Sequence, residues 1–206
     1  MGLRKRNKKI YGIGINDADY KVVVWDIVQG VRKIIFRCPF YDVWCSMIER
    51  CYSDRFKSKS PSYADCTTCP EWIYFSRFKA WMEVQDWEGS QLDKDLLVRG
   101  NKIYGPKTCI FIPGNVNTFM IERGRDRGKW PIGVAVHPPT GKFQASCSSV
   151  IEKRPVYLGL FATPEEAHAA WLKFKLEQAY ILAAEQTDER ISKALIERYE
   201  NYAAYP

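Results

Sequence analysis

A chain of 206 residues is long enough for one large domain or two small ones, and 46% hydrophobic with 27% charged residues gives it material for a packed core rather than a disordered chain. The formal net charge of +7 favours a polyanionic partner, because Lys and Arg that neutralise phosphates gain affinity by releasing counterions. No apolar run approaches the ~20 residues of a bilayer span, and MGLRKRNKK lacks the apolar core of a secretory signal, so a cytoplasmic protein with no membrane partner is expected.

In chain order, residues 1–36 read as a basic arm and a small β unit. YGIGIND, YKVVVWDIV and VRKIIF are short β-rich runs broken by Asn-Asp and by Gln29-Gly30. Phe40, Val43, Trp44, Met47, Ile48 and Cys51 then recur with the spacing of one apolar helical face. A Ser, Lys and Pro loop is expected up to Pro61, after which Pro70-Glu71 opens a second helix carrying Trp72, Phe75, Phe78 and Met82 inward. The segment LDKDLLVRGNKIYGPKTCIFIP, Leu92 to Pro113, combines two acidic residues around a lysine with glycine bends and an apolar run. As a plain hairpin it would pack Leu92, Leu96, Leu97 and Ile103, turn at Gly100 and Gly105-Pro106, and leave Asp and Lys on the surface.

The charged, glycine-bearing stretch 121–130 reads as a basic linker between a unit over 37–120 and a module over 131–206. In that module PIGVAV and GKFQASCSSV alternate with period two and YLGLF makes a third strand. Thr163-Pro164-Glu165-Glu166 is a capping box opening a long helix with Ala167, Ala170, Trp171, Phe174 and Ile181 on one face. A last amphipathic stretch from Asp188 to Tyr202 places Ile191, Leu195 and Tyr199 similarly. Seven scattered cysteines are expected as thiols. The CxxC of Cys66 and Cys69 has no second ligand pair, so structural zinc is not expected.

The run GVAVHPPTGKFQASCSS, then VYLGLF, then TPEEAHAAW resembles the Apetala-two/ethylene-response-factor DNA-binding domain over about fifty residues. The resemblance implies a three-stranded antiparallel sheet packed on a helix, its outer face laid in the major groove of double-stranded DNA. Strand parity independently turns Phe143, Ala145 and Cys147 toward the helix and Lys142, Gln144, Ser146 and Ser148 outward. Carried over position by position, the plant family's first-strand arginines become Ala135 and His137, its outward second-strand pair Ser146 and Ser148, and its third-strand tryptophan Tyr157. Missing arginines predict weak base readout, since each arginine–guanine contact supplies about 1–3 kcal/mol of discrimination. Phosphate contacts would come from Arg123, Arg125, Arg127, Lys129, Lys142, Lys153 and Arg154.

The first half, FYDVWCSMIERCYS, SYADCTTCPEW, FSRFKAWM and then LDKDLLVRGNKIYGPKTCIFIPGNVN, resembles phage-encoded HNH-type, homing-endonuclease-like proteins in which such a segment precedes an Apetala-two-type domain. That resemblance implies an α+β protein with an N-terminal αβ HNH-like unit, a C-terminal sheet-on-helix module, and the cytoplasm of an infected bacterial host. It also implies metal-dependent DNA cleavage, with Asp93 and Asp95 holding Mg²⁺ or Mn²⁺ and Asn101 orienting the motif. Lys94 stands where the general-base histidine belongs. No histidine lies between Met1 and Val136, and two flanking carboxylates oppose the fall from about 10.4 that a lysine base needs. The alternatives are a catalytically silent DNA-binding descendant, regulatory or anti-defence in role, and a protein directed at a host factor.

Overall fold

A computed structural model describes residues 9–121 and 129–202. The protein is α+β and divides into two compact units, Met1–Gly114 and Asn115–Pro206. Among the described residues no helix is long and apolar enough to cross a membrane.

In the first unit, β1 (Val23–Val28) and β2 (Val31–Arg37) form an antiparallel hairpin turning at Gln29-Gly30, where both residues have positive φ. Helix α1 (Pro39–Tyr52) follows, burying Trp44, Met47, Ile48 and Cys51 as the spacing predicts. The expected loop before Pro61 instead contains a short helix, α2 (Asp54–Lys59), whose N-cap Ser53 accepts a hydrogen bond from the Phe56 amide at 3.3 Å. It buries no residue, so it leaves no apolar period to read. The helix expected from Pro70 is also altered. Pro70–Ile73 is a 3₁₀ turn, and α3 runs only from Phe75 to Met82. Between them Tyr74 is extended because Ile15 pairs across it, donating to Ile73 O at 2.8 Å and accepting from the Phe75 amide at 3.0 Å.

The inward residues are nevertheless those expected, and Trp72, Phe75, Phe78 and Met82 are all buried. Trp72 meets Phe78 edge-on at 5.0 Å, a geometry worth about 0.5–1.5 kcal/mol beyond area burial. The Trp44 indole donates to Trp72 O at 2.8 Å, which satisfies its one polar group inside the core. The short β3 (Thr67–Thr68) pairs in parallel with β5 (Ile103–Tyr104), and β4 (Ser90–Asp93) pairs antiparallel with β6 (Ile110–Pro113).

The second unit, from Asn115, takes in all but the first residue of α4 (Gly114–Met120), whose Phe119 carbonyl accepts from Lys175 Nζ at 2.8 Å. Its sheet has the order β7 (Val134–Val136), β8 (Phe143–Ser148), β9 (Pro155–Phe161), antiparallel throughout. Helix α5 (Pro164–Ala184) packs on it through Ala167, Trp171 and Ala179, and α6 (Glu189–Glu200) adds Ile191, Leu195 and Tyr199 to the buried set. The capping box forms as expected: Thr163 Oγ1 accepts from the Glu166 amide at 3.2 Å, and the Glu166 carboxylate accepts from the Thr163 amide at 3.3 Å.

Candidate nucleic-acid interface

The acidic loop of the first unit begins where β4 ends. Asp93 Oδ1 accepts two backbone hydrogen bonds, from Asp95 at 2.9 Å and Leu96 at 2.6 Å, so the carboxylate shapes the turn that follows it. Burial, reinforced by the neighbouring charge of Asp95, raises its pKa above the usual carboxylate value. Lys94 is only 7% exposed; its ammonium lies 3.4 Å from Asp95 Oδ1 and 5.6 Å from the centre of the Tyr63 ring. Asn101 closes the loop. Its Nδ2 donates to Lys94 O and to Ile103 O, both at 2.7 Å, and its Oδ1 accepts from the Ile103 amide at 3.2 Å. Leu92 and Leu96 are buried as a hairpin requires, but Ile103 is 51% exposed and lies outside that packing.

Asp93, Lys94, Asp95 and Asn101 therefore come together, in an arrangement that suits a divalent cation poorly. One Asp93 oxygen is committed to the backbone, and the Lys94 ammonium neutralises Asp95 where a Mg²⁺ or Mn²⁺ ion would compete for the same charge. Among the described residues no group of three or more His, Cys, Asp or Glu is placed to hold a metal ion. Cys66 is buried and Cys69 partly so, and burial raises both thiols, with Cys51 and Cys109 pushed up to about 12. Such thiols remain protonated at neutral pH and pack as small apolar groups.

In the second unit the β8 alternation follows the parity of its sequence. Ala145 and Cys147 are buried against the helical layer, whereas Gln144 and Ser146 are partly exposed and Ser148 is exposed. A register shift after Ala145 leaves Leu158 as an extra residue on β9, where it joins the core and keeps its neighbour Tyr157 outward, 58% exposed and paired with Ser146. Ala135 is exposed on β7. His137 sits just beyond it, in the turn, with Nδ1 2.9 Å from Thr140 Oγ1. Lys142 is exposed at the same end of the sheet.

The opposite end carries the basic turn between β8 and β9. Lys153 adopts a positive φ of 54° and donates its amide to Ser149 O at 3.0 Å, while Arg154 forms an ion pair with Glu152. That pair lowers the charge Arg154 offers a phosphate. Lys129 is exposed, its ammonium 4.6 Å from the centre of the Trp130 ring. Arg123, Arg125 and Arg127 lie outside the described residues.

Periodicity alone does not single out Gln178, yet it positions this turn. It is 5% exposed on α5, and its Oε1 accepts from the Val150 amide at 2.7 Å, fastening the turn's first residues to the helix. Its only sequence signal is a polar residue seven positions after Trp171 on an otherwise apolar face. Gly133 similarly makes room for Trp171: a Cβ there would lie 2.0 Å from the indole.

No family model, no curated protein and no solved structure matches the chain.

Proposed function

We propose that the protein binds double-stranded DNA through the outer face of the β7–β8–β9 sheet, with modest sequence specificity, and that the Asp93–Asn101 loop supports the fold of the first unit rather than cutting the strand. The observation carrying this reading is the asymmetry of the sheet. One face is sealed against α5, and the other presents Gln144, Ser146, Ser148 and Tyr157, with Lys142 and Lys153 at its two ends and no carboxylate on any of its three strands. Hydroxyl and amide groups can hydrogen-bond base edges, and the lysines supply phosphate contacts that carry no sequence information. The flanking Arg123, Arg125 and Arg127 add charge on the sequence side.

The decisive test is fluorescence anisotropy with a 30-bp duplex across a salt series. Lys142→Ala with Lys153→Ala is expected to weaken binding about equally for all sequences and to lower the salt slope by about one per lost phosphate contact. Tyr157→Ala with Ser148→Ala should weaken binding while leaving the salt slope unchanged. Absence of duplex binding by the wild-type chain at low salt would overturn the reading and favour a host protein partner.

Metal-dependent cleavage is the second reading, favoured by one contact. Asn101 grips the backbone of Lys94, the position the HNH resemblance assigns to the base. Nicking of supercoiled plasmid with Mg²⁺ or Mn²⁺, lost in an Asp93→Ala, Asp95→Ala variant, would establish it in place of the supporting role.

A further inference from the structure

Among the described residues, the β1–β2 hairpin is anchored at its root. Val22 and Cys38 are buried there and joined by the Cys38 amide donating to Val22 O at 2.8 Å. Beyond the root, from Trp25 to Phe36, every residue is exposed, and among the described residues each strand pairs only with the other. An isolated two-stranded hairpin is marginal in water, and exposed apolar groups on this scale mark a contact surface.

The register sorts the side chains onto two faces. Trp25 opposes Ile34 and Ile27 opposes Arg32 on one, while Val28 opposes Val31 and Asp26 opposes Lys33 on the other. Both faces are therefore apolar and both carry a cation. Arg32 lies 4.9 Å from the centre of the Trp25 ring, whereas Asp26 is turned back on its own strand, accepting from the Ile27 amide at 2.7 Å. A flat protein partner covers one face of such a ribbon and leaves the other wet. A nucleic-acid groove closes on a ribbon from several sides, with sugar walls and thymine methyls for apolar side chains and phosphates for cations. Two strands about 4.8 Å apart fit a major groove about 12 Å wide.

We infer that the β1–β2 ribbon is a second double-stranded-DNA contact, inserted in a groove with Trp25 and Ile27 against its wall and Arg32 and Lys33 on its phosphates. This rests on the DNA-binding reading above but uses a different unit and different residues.

The experiment compares the full chain with two hairpin variants, Trp25→Ala with Ile27→Ser and Arg32→Ala with Lys33→Ala, alongside the Lys142→Ala, Lys153→Ala sheet variant. Because the substituted hairpin side chains are exposed, thermal unfolding should match wild type. Affinity for a 30-bp duplex is read by anisotropy and molecular mass by sedimentation. The expected result is at least a tenfold loss of affinity in each hairpin variant with mass unchanged. Hairpin variants that bind as wild type while the sheet variant weakens would overturn this inference alone. Wild-type protein that binds no duplex would overturn both readings. A wild-type dimer reduced to a monomer by Trp25→Ala with Ile27→Ser, with duplex affinity preserved, would overturn it in favour of a second copy of the chain.

Discussion

The side-chain amide of Asn101 holds the main chain of Lys94 across a seven-residue loop, with Nδ2 2.7 Å from Lys94 O. The same nitrogen reaches Ile103 O, and the oxygen takes the Ile103 amide, so one side chain ties the entry of β5 to the end of the acidic turn.

Asn101→Ala removes all three bonds, and Asn101→Asp keeps the acceptor but turns a carboxylate oxygen toward two carbonyls. Alanine is expected to destabilise the protein by about 1–2 kcal/mol, with aspartate costing more, because the partly buried Lys94 carbonyl and the Ile103 carbonyl lose their donor or face a carboxylate. Urea unfolding of the two variants checks the order. Equal stability of all three proteins would remove Asn101 from its structural role.

Asp93 has the opposite pH behaviour from a salt-bridged carboxylate. Its folded-state pKa is raised by burial and by Asp95, so protonation favours the folded chain: stability from this group is present below its unfolded pKa near 3.8 and is lost as pH rises through the folded value. Asp93→Asn retains the oxygen that accepts from Asp95 and Leu96 but cannot ionise. The variant's stability relative to wild type should therefore improve between pH 3.5 and pH 7. Denaturant unfolding at the two pH values measures it, and a flat difference would contradict the assigned shift.

Gly133 meets the indole of Trp171 with a φ of +81°. Gly133→Ala is expected to cost about 2–4 kcal/mol from overpacking and left-handed backbone strain together. Because Trp171 lies under the sheet, the same substitution should lower duplex affinity. Thermal unfolding and anisotropy on one preparation test both effects.

Much of the architecture was legible because burial imposes a period. The α1 face, the inward aromatics around Trp72, the β8 alternation and the Thr163–Glu166 capping box all appear in the linear text, each as a local pattern that one element must satisfy by itself. Helix α2 escaped because a helix that buries nothing need not be amphipathic. The break at Tyr74 and the late start of α3 at Phe75 escaped because their cause, the pairing of Ile15 with Ile73 and Phe75, lies about sixty residues away in the chain.

The candidate site divides along the same line. By itself the sequence determined the charge, the acidic Asp93-Lys94-Asp95 pattern without a histidine, the basic stretch before the sheet and which β8 side chains face outward. Only the tertiary structure decided that Asp93 spends an oxygen on its own turn, that Lys94 is buried against Asp95, that Arg154 is paired with Glu152, and that the β1–β2 ribbon is exposed from Trp25 to Phe36. Periodicity reports which face of an element seeks burial. Whether a neighbour arrives to bury it, or to claim a charge, depends on contacts between residues far apart in the chain, which no local pattern encodes.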